Sequence, residues 1–192
     1  MRKLTNADIK DLREYERERD AFVAEIISLK KKRRVPLGDM MTIVFENATT
    51  MRFQIQEMAR AERMLRDEEI AHEIAVYNDL VPNDGELSST LFIEINDPEA
   101  LRYWLPRLVG IEDFVKIVVG EEVVPADEVD ANRLTREDIT STVHYLKFAF
   151  TEAQQRAFAD GPVRLVIDHP EYPVDIELTD HQRDEIVGDF AA

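Results

Sequence analysis

Apolar residues recur every three or four positions through the first part of the chain. Leu12, Tyr15, Phe22, Ile26 and Leu29 keep this spacing, with Arg19 at the step between Tyr15 and Phe22, and the pattern predicts one long helix running from Thr5, as N-cap, to about residue 33. At about 1.5 Å per residue such a helix runs roughly 40 Å. That is more than one compact domain needs, so the helix is expected to project and offer a surface for a homodimer. Residues 35–39 (VPLGD) should break it, because Pro36 and Gly38 both oppose its continuation. Residues 41–46 (MTIVFE) are strand-like, residues 47–50 offer an N-cap for a helix over 50–66, and a second helical segment covers 67–78.

After a turn at 81–85 (VPNDG) the period changes from helical to alternating. Residues 87–96 put Leu91, Ile93 and Ile95 on one face and Glu94 and Asn96 on the other. Residues 142–150 likewise turn Leu146, Phe148 and Phe150 inward. Between and beyond these, the sequence predicts a short helix at 98–108, a strand at 114–119, a helical turn at 126–133 and a helix at 152–159. Strands at 163–168 and 174–178 joined by HPEYP follow, with a closing helix at 180–190. About six strands with segregated helices define an α+β fold. The expected architecture is a single domain in which a long N-terminal helix and a helical hairpin pack on a mixed, mainly antiparallel sheet. Residues 1–80 would be its mainly helical half and residues 81–192 its strand-rich half.

Composition adds an electrical asymmetry. Residues 1–80 hold 15 Lys and Arg against 16 Asp and Glu, whereas residues 81–192 hold 9 against 24, and the whole chain carries −16. Such an acidic half repels phosphate backbones, so nucleic acid is not an expected partner. The chain has no cysteine, which excludes thiolate nucleophiles, disulfides and the usual iron–sulfur ligands. No stretch reaches the roughly eighteen apolar residues of a membrane span, and the first residues lack the apolar run of a signal peptide. The expectation is a cytoplasmic protein without membrane contact.

Candidate chemistry concentrates in residues 45–65. At about 100° per residue, Met51, Ile55, Met58 and Leu65 share one stripe, and Glu62 falls near its middle. Arg19 interrupts the stripe of the first helix in the same way. Buried charges survive when paired, so Arg19 and Glu62 form a candidate structural pair, with a Glu62–Arg66 bond one turn on as the alternative. The opposite face carries Arg52, Gln56, Arg60 and Arg63. Together with Glu46 and Glu57 these form a candidate ligand- or partner-binding surface at the strand-to-helix junction, because forked guanidinium donors suit carboxylates and phosphates. Glu57 with Arg60, and Asp67 with Arg63, could instead neutralise that face internally.

Glu69 and His72 make a Glu-x-x-His element, but a di-iron bundle needs two such elements and two further glutamates. Only one is present, so neither a metal nor any other cofactor is expected. His144 shares a face with Leu146 and Phe148 and reads as a hydrogen-bonded core histidine; His169 lies in a hairpin turn and His181 at a helix start. Glycine-rich phosphate loops are absent.

Six stretches, RRVPLG (33–38), FEN (45–47), QIQEMARAER (54–63), YNDLVP (77–82), HYLKF (144–148) and DHPEY (168–172), together resemble a bacterial family catalogued as a domain of unknown function, number thirty-five-oh-one. The resemblance spans nearly the whole chain. Members of that family are often encoded beside rubrerythrin-like proteins and iron–sulfur oxidoreductases, which implies a redox or oxidative-stress setting and partners of those kinds. The resulting expectation is a non-catalytic accessory protein that acts through protein–protein interaction. The alternatives are an enzyme or small-molecule or anion binder with its site around residues 46–60, and a carboxylate metal-binding protein.

Overall fold

The computed structural model describes residues 2–129 and 138–191 of the chain. Its first helix, α1 (Leu12–Arg33), starts later than the spacing predicts. Asp11 is the N-cap, accepting from the backbone N–H groups of Arg13 and Glu14. Thr5 opens a separate 3-10 turn over Asn6–Asp8 instead, its N–H and hydroxyl both bonded to the Asp8 carboxylate. Asp11 wins because a carboxylate at the positive end of a long helix satisfies two orphan donors at once.

Helix α2 (Ala48–Glu62) is capped by Asn47, whose side chain accepts from Thr49 and Thr50, and it ends at Arg63 with φ +54°. Helix α3 (Asp67–Asn78) follows. Instead of projecting, α1 lies on the body of the protein. Tyr15, Phe22 and Phe53 interlock edge to face between α1 and α2, with ring centroids 6.4 and 5.7 Å apart.

Nine strands form two sheets among the described residues, and every pairing is antiparallel. They are β1 (Arg34–Leu37), β2 (Met41–Glu46), β3 (Glu86–Ile93), β4 (Val115–Val119), β5 (Glu122–Pro125), β6 (Asp127–Glu128), β7 (Val143–Ala149), β8 (Val163–His169) and β9 (Tyr172–Glu177). The first sheet runs β1-β2-β3-β7-β6 and the second β5-β4-β8-β9. Three further helices, α4 (Pro98–Trp104), α5 (Glu152–Asp160) and α6 (Asp180–Ile186), complete the α+β fold.

The main core joins the two sheets: Ile43, Phe45, Leu87, Leu91, Leu146 and Phe148 from the first meet Ile117, Val119, Leu165 and Ile167 from the second. All six residues of β2 are buried, as expected of a strand covered on both faces. A smaller cluster of Leu4, Met51, Ile55, Ile74, Leu80 and Val81 gathers residues of the N-terminal segment, α2, α3 and the turn that follows α3, with Tyr145 of β7 against it. The inward set Leu146, Phe148 and Phe150 is buried as its alternation predicts. No helix among the described residues is long and apolar enough to cross a membrane.

The strands beyond the expected six come from segments with little periodicity. Residues 34–37 form β1, which pairs with β2 around Gly38 at φ +67°. Pro36 is accommodated because β1 is an edge strand, where a missing N–H breaks no ladder. A Cβ on Gly38 would sit 2.5 Å from the Tyr172 hydroxyl, and that hydroxyl donates to the Leu37 carbonyl (2.7 Å) and accepts from the Met40 N–H (3.0 Å). The turn of the first sheet is thereby tied to β9 of the second. Strand β5 buries only Val124, so its sequence carries no inward face to read. Asp127 and Glu128 pair with β7 where a helical turn is expected; residues 130–133 of that expected turn lie outside the described residues. Pro125 and Pro173 also sit on edge strands, β5 and β9.

Arg33 belongs to a run of four basic residues in the last turn of α1, yet it is only 1% exposed. Its Nε donates to the Phe45 carbonyl at 2.8 Å and its Nη2 to the Asp189 carboxylate. Glu185 lies 3.7 Å from Nη1. Burial pushes the Asp189 carboxyl above its ordinary value, and the Arg33 charge opposes that shift. Removing one partner of a buried pair strands the other charge, at a cost of about 3–5 kcal/mol. Asp189→Asn and Arg33→Met should each lower unfolding free energy by an amount of that order in urea titrations. The double variant should lose clearly less than the sum of the two, as coupled neighbours do.

Candidate functional site

The residues expected to bind a ligand are divided by the fold between two places. Glu46 ends β2 and is 2% exposed. Its Oε1 accepts from the Thr90 hydroxyl at 3.2 Å and lies 3.6 Å from the Lys30 ammonium. Its Oε2 is buried without a hydrogen-bond partner among the described residues. Glu46 therefore reports to the interior.

Arg52, Gln56, Glu57 and Arg60 lie on the side of α2 that meets α1 and the N-terminal segment, and most are engaged within the chain; Arg63 lies just past the end of α2. Glu57 holds Arg19 in a two-pronged ion pair, Nε to Oε1 at 2.8 Å and Nη2 to Oε2 at 2.7 Å, and Oε1 also accepts from the Tyr15 hydroxyl at 2.7 Å. This corrects the expected Arg19–Glu62 pair. Arg19 does need an acid, but Glu57 supplies it, and Glu62 is exposed at the helix end. Helix α1 crosses α2 nearer its middle than the apolar stripe implies, so the acid that meets Arg19 lies more than a turn upstream of Glu62. Arg66 pairs with Glu69 rather than with Glu62. Arg60 bonds Glu16 of α1 at 2.5 Å, which leaves the anticipated Glu57–Arg60 pair unmade. Gln56 is buried and behaves like a strand neighbour of Lys10, accepting from its N–H (2.9 Å) and donating to its carbonyl (2.8 Å). Arg63 takes the left-handed conformation that closes α2, its N–H bonded to the Ala59 and Arg60 carbonyls.

Arg52 stands apart from these, its guanidinium 4.9 Å from the centroid of the Phe22 ring. Arg52 and Gln56 line an open groove of about 500 Å³ between the N-terminal segment, α1 and α2, together with Lys10, Tyr15, Arg17 and Phe22. Asp8, Glu18 and Glu25 share its rim, and Glu18 engages Lys10. Burial and the bond to Glu57 hold the Tyr15 phenol well above its ordinary value, so it stays a donor.

A second polar constellation lies in the core, and only its histidine is visible in the sequence pattern. His144 on β7 is fully buried. Its Nδ1 is 2.5 Å from Glu128 Oε1 and 3.6 Å from Glu112 Oε2, and its Nε2 faces the Thr140 hydroxyl (3.0 Å) and the Ser141 carbonyl (3.1 Å). Burial raises the Glu128 carboxyl above its ordinary value, with His144 opposing. Ligand atoms of Glu112, Glu128 and His144 all lie within 4.8 Å of one another, a spacing that could hold a metal ion. The Glu-x-x-His pair, by contrast, is superficial: His72 is exposed and Glu69 is bonded to Arg66. His169 is buried on β8, edge-on to Phe114 at 4.8 Å.

A long helix and a helical pair set on two antiparallel sheets define the structural class. The chain belongs to the family described as "Protein of unknown function (DUF3501)", whose model matches residues 3–190. It is similar to a novel protein of unknown function from Burkholderia pseudomallei K96243, known from a crystal structure, with 34% identity, 98% of this chain and 99% of that chain covered, and a TM-score of 0.91. No curated protein matches the chain.

The hydrogen bond from Arg19, followed by that from Tyr15, holds the Glu57 carboxyl below its ordinary value. A carboxylate depressed in the folded state contributes stability above its unfolded pKa of about 4.3 and loses it as pH falls through the folded value. Glu57→Gln should therefore lower the melting temperature at neutral pH. The gap between variant and wild type should close in scanning calorimetry as pH drops below about 4.

Proposed function

We propose that the protein is a non-catalytic, cytoplasmic accessory protein that holds a short acidic segment of a protein partner in the groove between α1 and α2. The observation that carries this reading is the groove itself, an open cleft lined by Arg17 and Arg52, with the Arg52 guanidinium over the Phe22 ring. Lys10 is engaged by Glu18, so the two arginines are the cations best placed to meet a carboxylate through forked hydrogen bonds. Catalysis fits less well, because Glu57, Gln56 and Arg60 are committed to contacts that join α1 and the N-terminal segment to α2. The setting implied by the family resemblance makes an iron–sulfur oxidoreductase or a rubrerythrin-like protein the first partner to test.

A second reading, a small anionic ligand in the same place, is favoured by the volume of the groove, which falls within the usual range for small-molecule sites. Pairing of two copies through α1 is a third occupant, for which Ile27, 64% exposed on that helix, is the observation in favour.

The test is affinity capture from the native host with wild type and with Arg17→Glu/Arg52→Glu, followed by titration calorimetry with the purified partner. Wild type should bind the partner and the variant should bind at least about tenfold more weakly, since like charges placed across an interface cost of order a kcal/mol or more. Equal binding by both proteins removes the groove from the function. Competition by a small carboxylate favours the second reading, and a dimer in light scattering that Ile27→Asp dissociates favours the third.

A further inference from the structure

We infer that Glu112, Glu128 and His144 form a binding site for one divalent transition-metal cation. The inference is independent of the groove and of what occupies it.

The argument begins with the histidine tautomer. The Ser141 carbonyl can only accept a hydrogen bond, so the ring nitrogen facing it at 3.1 Å, Nε2, carries the proton. In a neutral imidazole the lone pair is then on Nδ1, and Nδ1 points at two carboxylates: Glu128 Oε1 at 2.5 Å and Glu112 Oε2 at 3.6 Å. The three side chains are 0%, 4% and 11% exposed for His144, Glu128 and Glu112. Three electron-pair donors that converge out of water repel one another unless a cation lies among them.

A proton can join Nδ1 to Glu128, but it leaves other atoms unsatisfied. Glu128 Oε2, on a side chain 96% removed from solvent, and Glu112 Oε2 have no hydrogen-bond partner among the described residues. A divalent ion answers both atoms and charge, since two carboxylates and a neutral imidazole cancel +2. Donors bound about 2.1 Å from an ion sit roughly 3.0 Å apart in an octahedron and roughly 3.4 Å apart in a tetrahedron, and the observed 2.5 and 3.6 Å bracket both values.

The surroundings match as well. Histidine ligands usually donate their other ring N–H to a backbone carbonyl or a carboxylate, which fixes ring and tautomer; the Ser141 carbonyl does this for Nε2. One nitrogen and carboxylate oxygens, with no thiolate, suit Mn²⁺, Fe²⁺ or Zn²⁺. The ligands come from three segments, the 3-10 turn Ile111–Phe114, β6 and β7, and the β6–β7 pairing of Glu128 with Leu146 holds the segments of Glu128 and His144 together.

The experiment strips the purified full chain with chelator and titrates it with Mn²⁺ and Zn²⁺, using calorimetry, elemental analysis and thermal melts. One ion should bind per chain, raising the melting temperature and releasing protons as the ligands ionise. Glu112→Gln and Glu128→Gln should each weaken binding at least about tenfold. His72→Ala, which removes the surface histidine beside Glu69, should leave it unchanged. Because a core variant can lose its fold, electron spin-echo spectroscopy of Mn²⁺ bound to the wild type supplies a second measurement, and it should show one directly bonded imidazole nitrogen. Absence of stoichiometric uptake, uptake abolished by His72→Ala but not by the glutamine variants, or bound Mn²⁺ without the nitrogen signal would each overturn the proposal.

Discussion

The guanidinium of Arg33 is the contact on which the arrangement of the rest turns. It lies where the last turn of α1, the end of β2 and a C-terminal 3-10 turn (Val187–Ala191) meet, and it bonds to a component of each neighbour: the Phe45 carbonyl and the Asp189 carboxylate. Burying that charge is unfavourable alone, and it is tolerable only because both acceptors are fixed by their own elements. With its C-terminal end held there and its N-terminal half held by Tyr15 and Arg19 on Glu57, α1 has little freedom to rock. The groove between α1 and α2 inherits its width from these two attachments.

The chain disposes of its acidic residues unevenly. Most face water, but Glu46, Glu112, Glu128 and Asp189 are withdrawn from it: Glu46 beside Lys30, Asp189 beside Arg33, and Glu112 and Glu128 both beside His144. At Asp189 the counter-charge is a permanent guanidinium, and the result is structural. At Glu112 and Glu128 it is an imidazole that carries charge only when protonated, so that site has an electrostatic demand which the protein's own groups meet incompletely. This difference separates a charge that holds elements together from one that invites a ligand.

Much of the fold was legible wherever one face of an element is apolar. The alternation of Leu146, Phe148 and Phe150 located β7, and the capping stretch 47–50 located the start of α2, whose N-cap is the first residue of that stretch, Asn47. Where an element is short and mostly wet, the pattern is silent: β5 offers one buried residue and β6 is two residues long, so those two strands stayed hidden, and the division of the strands into two sheets depends on edge pairings that no local pattern carries. The need of Arg19 for an acid could be read from its place in an apolar stripe. The identity of that acid could not, because it depends on how two helices cross. His144 was readable as a core histidine, whereas Glu112 and Glu128 reach it only through strand pairing and a turn distant in the sequence. Arg33 is one of four basic residues in the last turn of α1, and nothing in the local sequence distinguishes it from Lys31.

The prolines of β1, β5 and β9 have a consequence for the life of the protein in a crowded solution. An exposed strand edge is a template on which another chain can add, and proline removes a donor from that template and stiffens it. Pro36, Pro125 and Pro173 put this obstacle on every edge strand longer than two residues among those described. Runaway sheet growth of the kind that seeds fibrils is therefore resisted at both ends of the second sheet and at one end of the first.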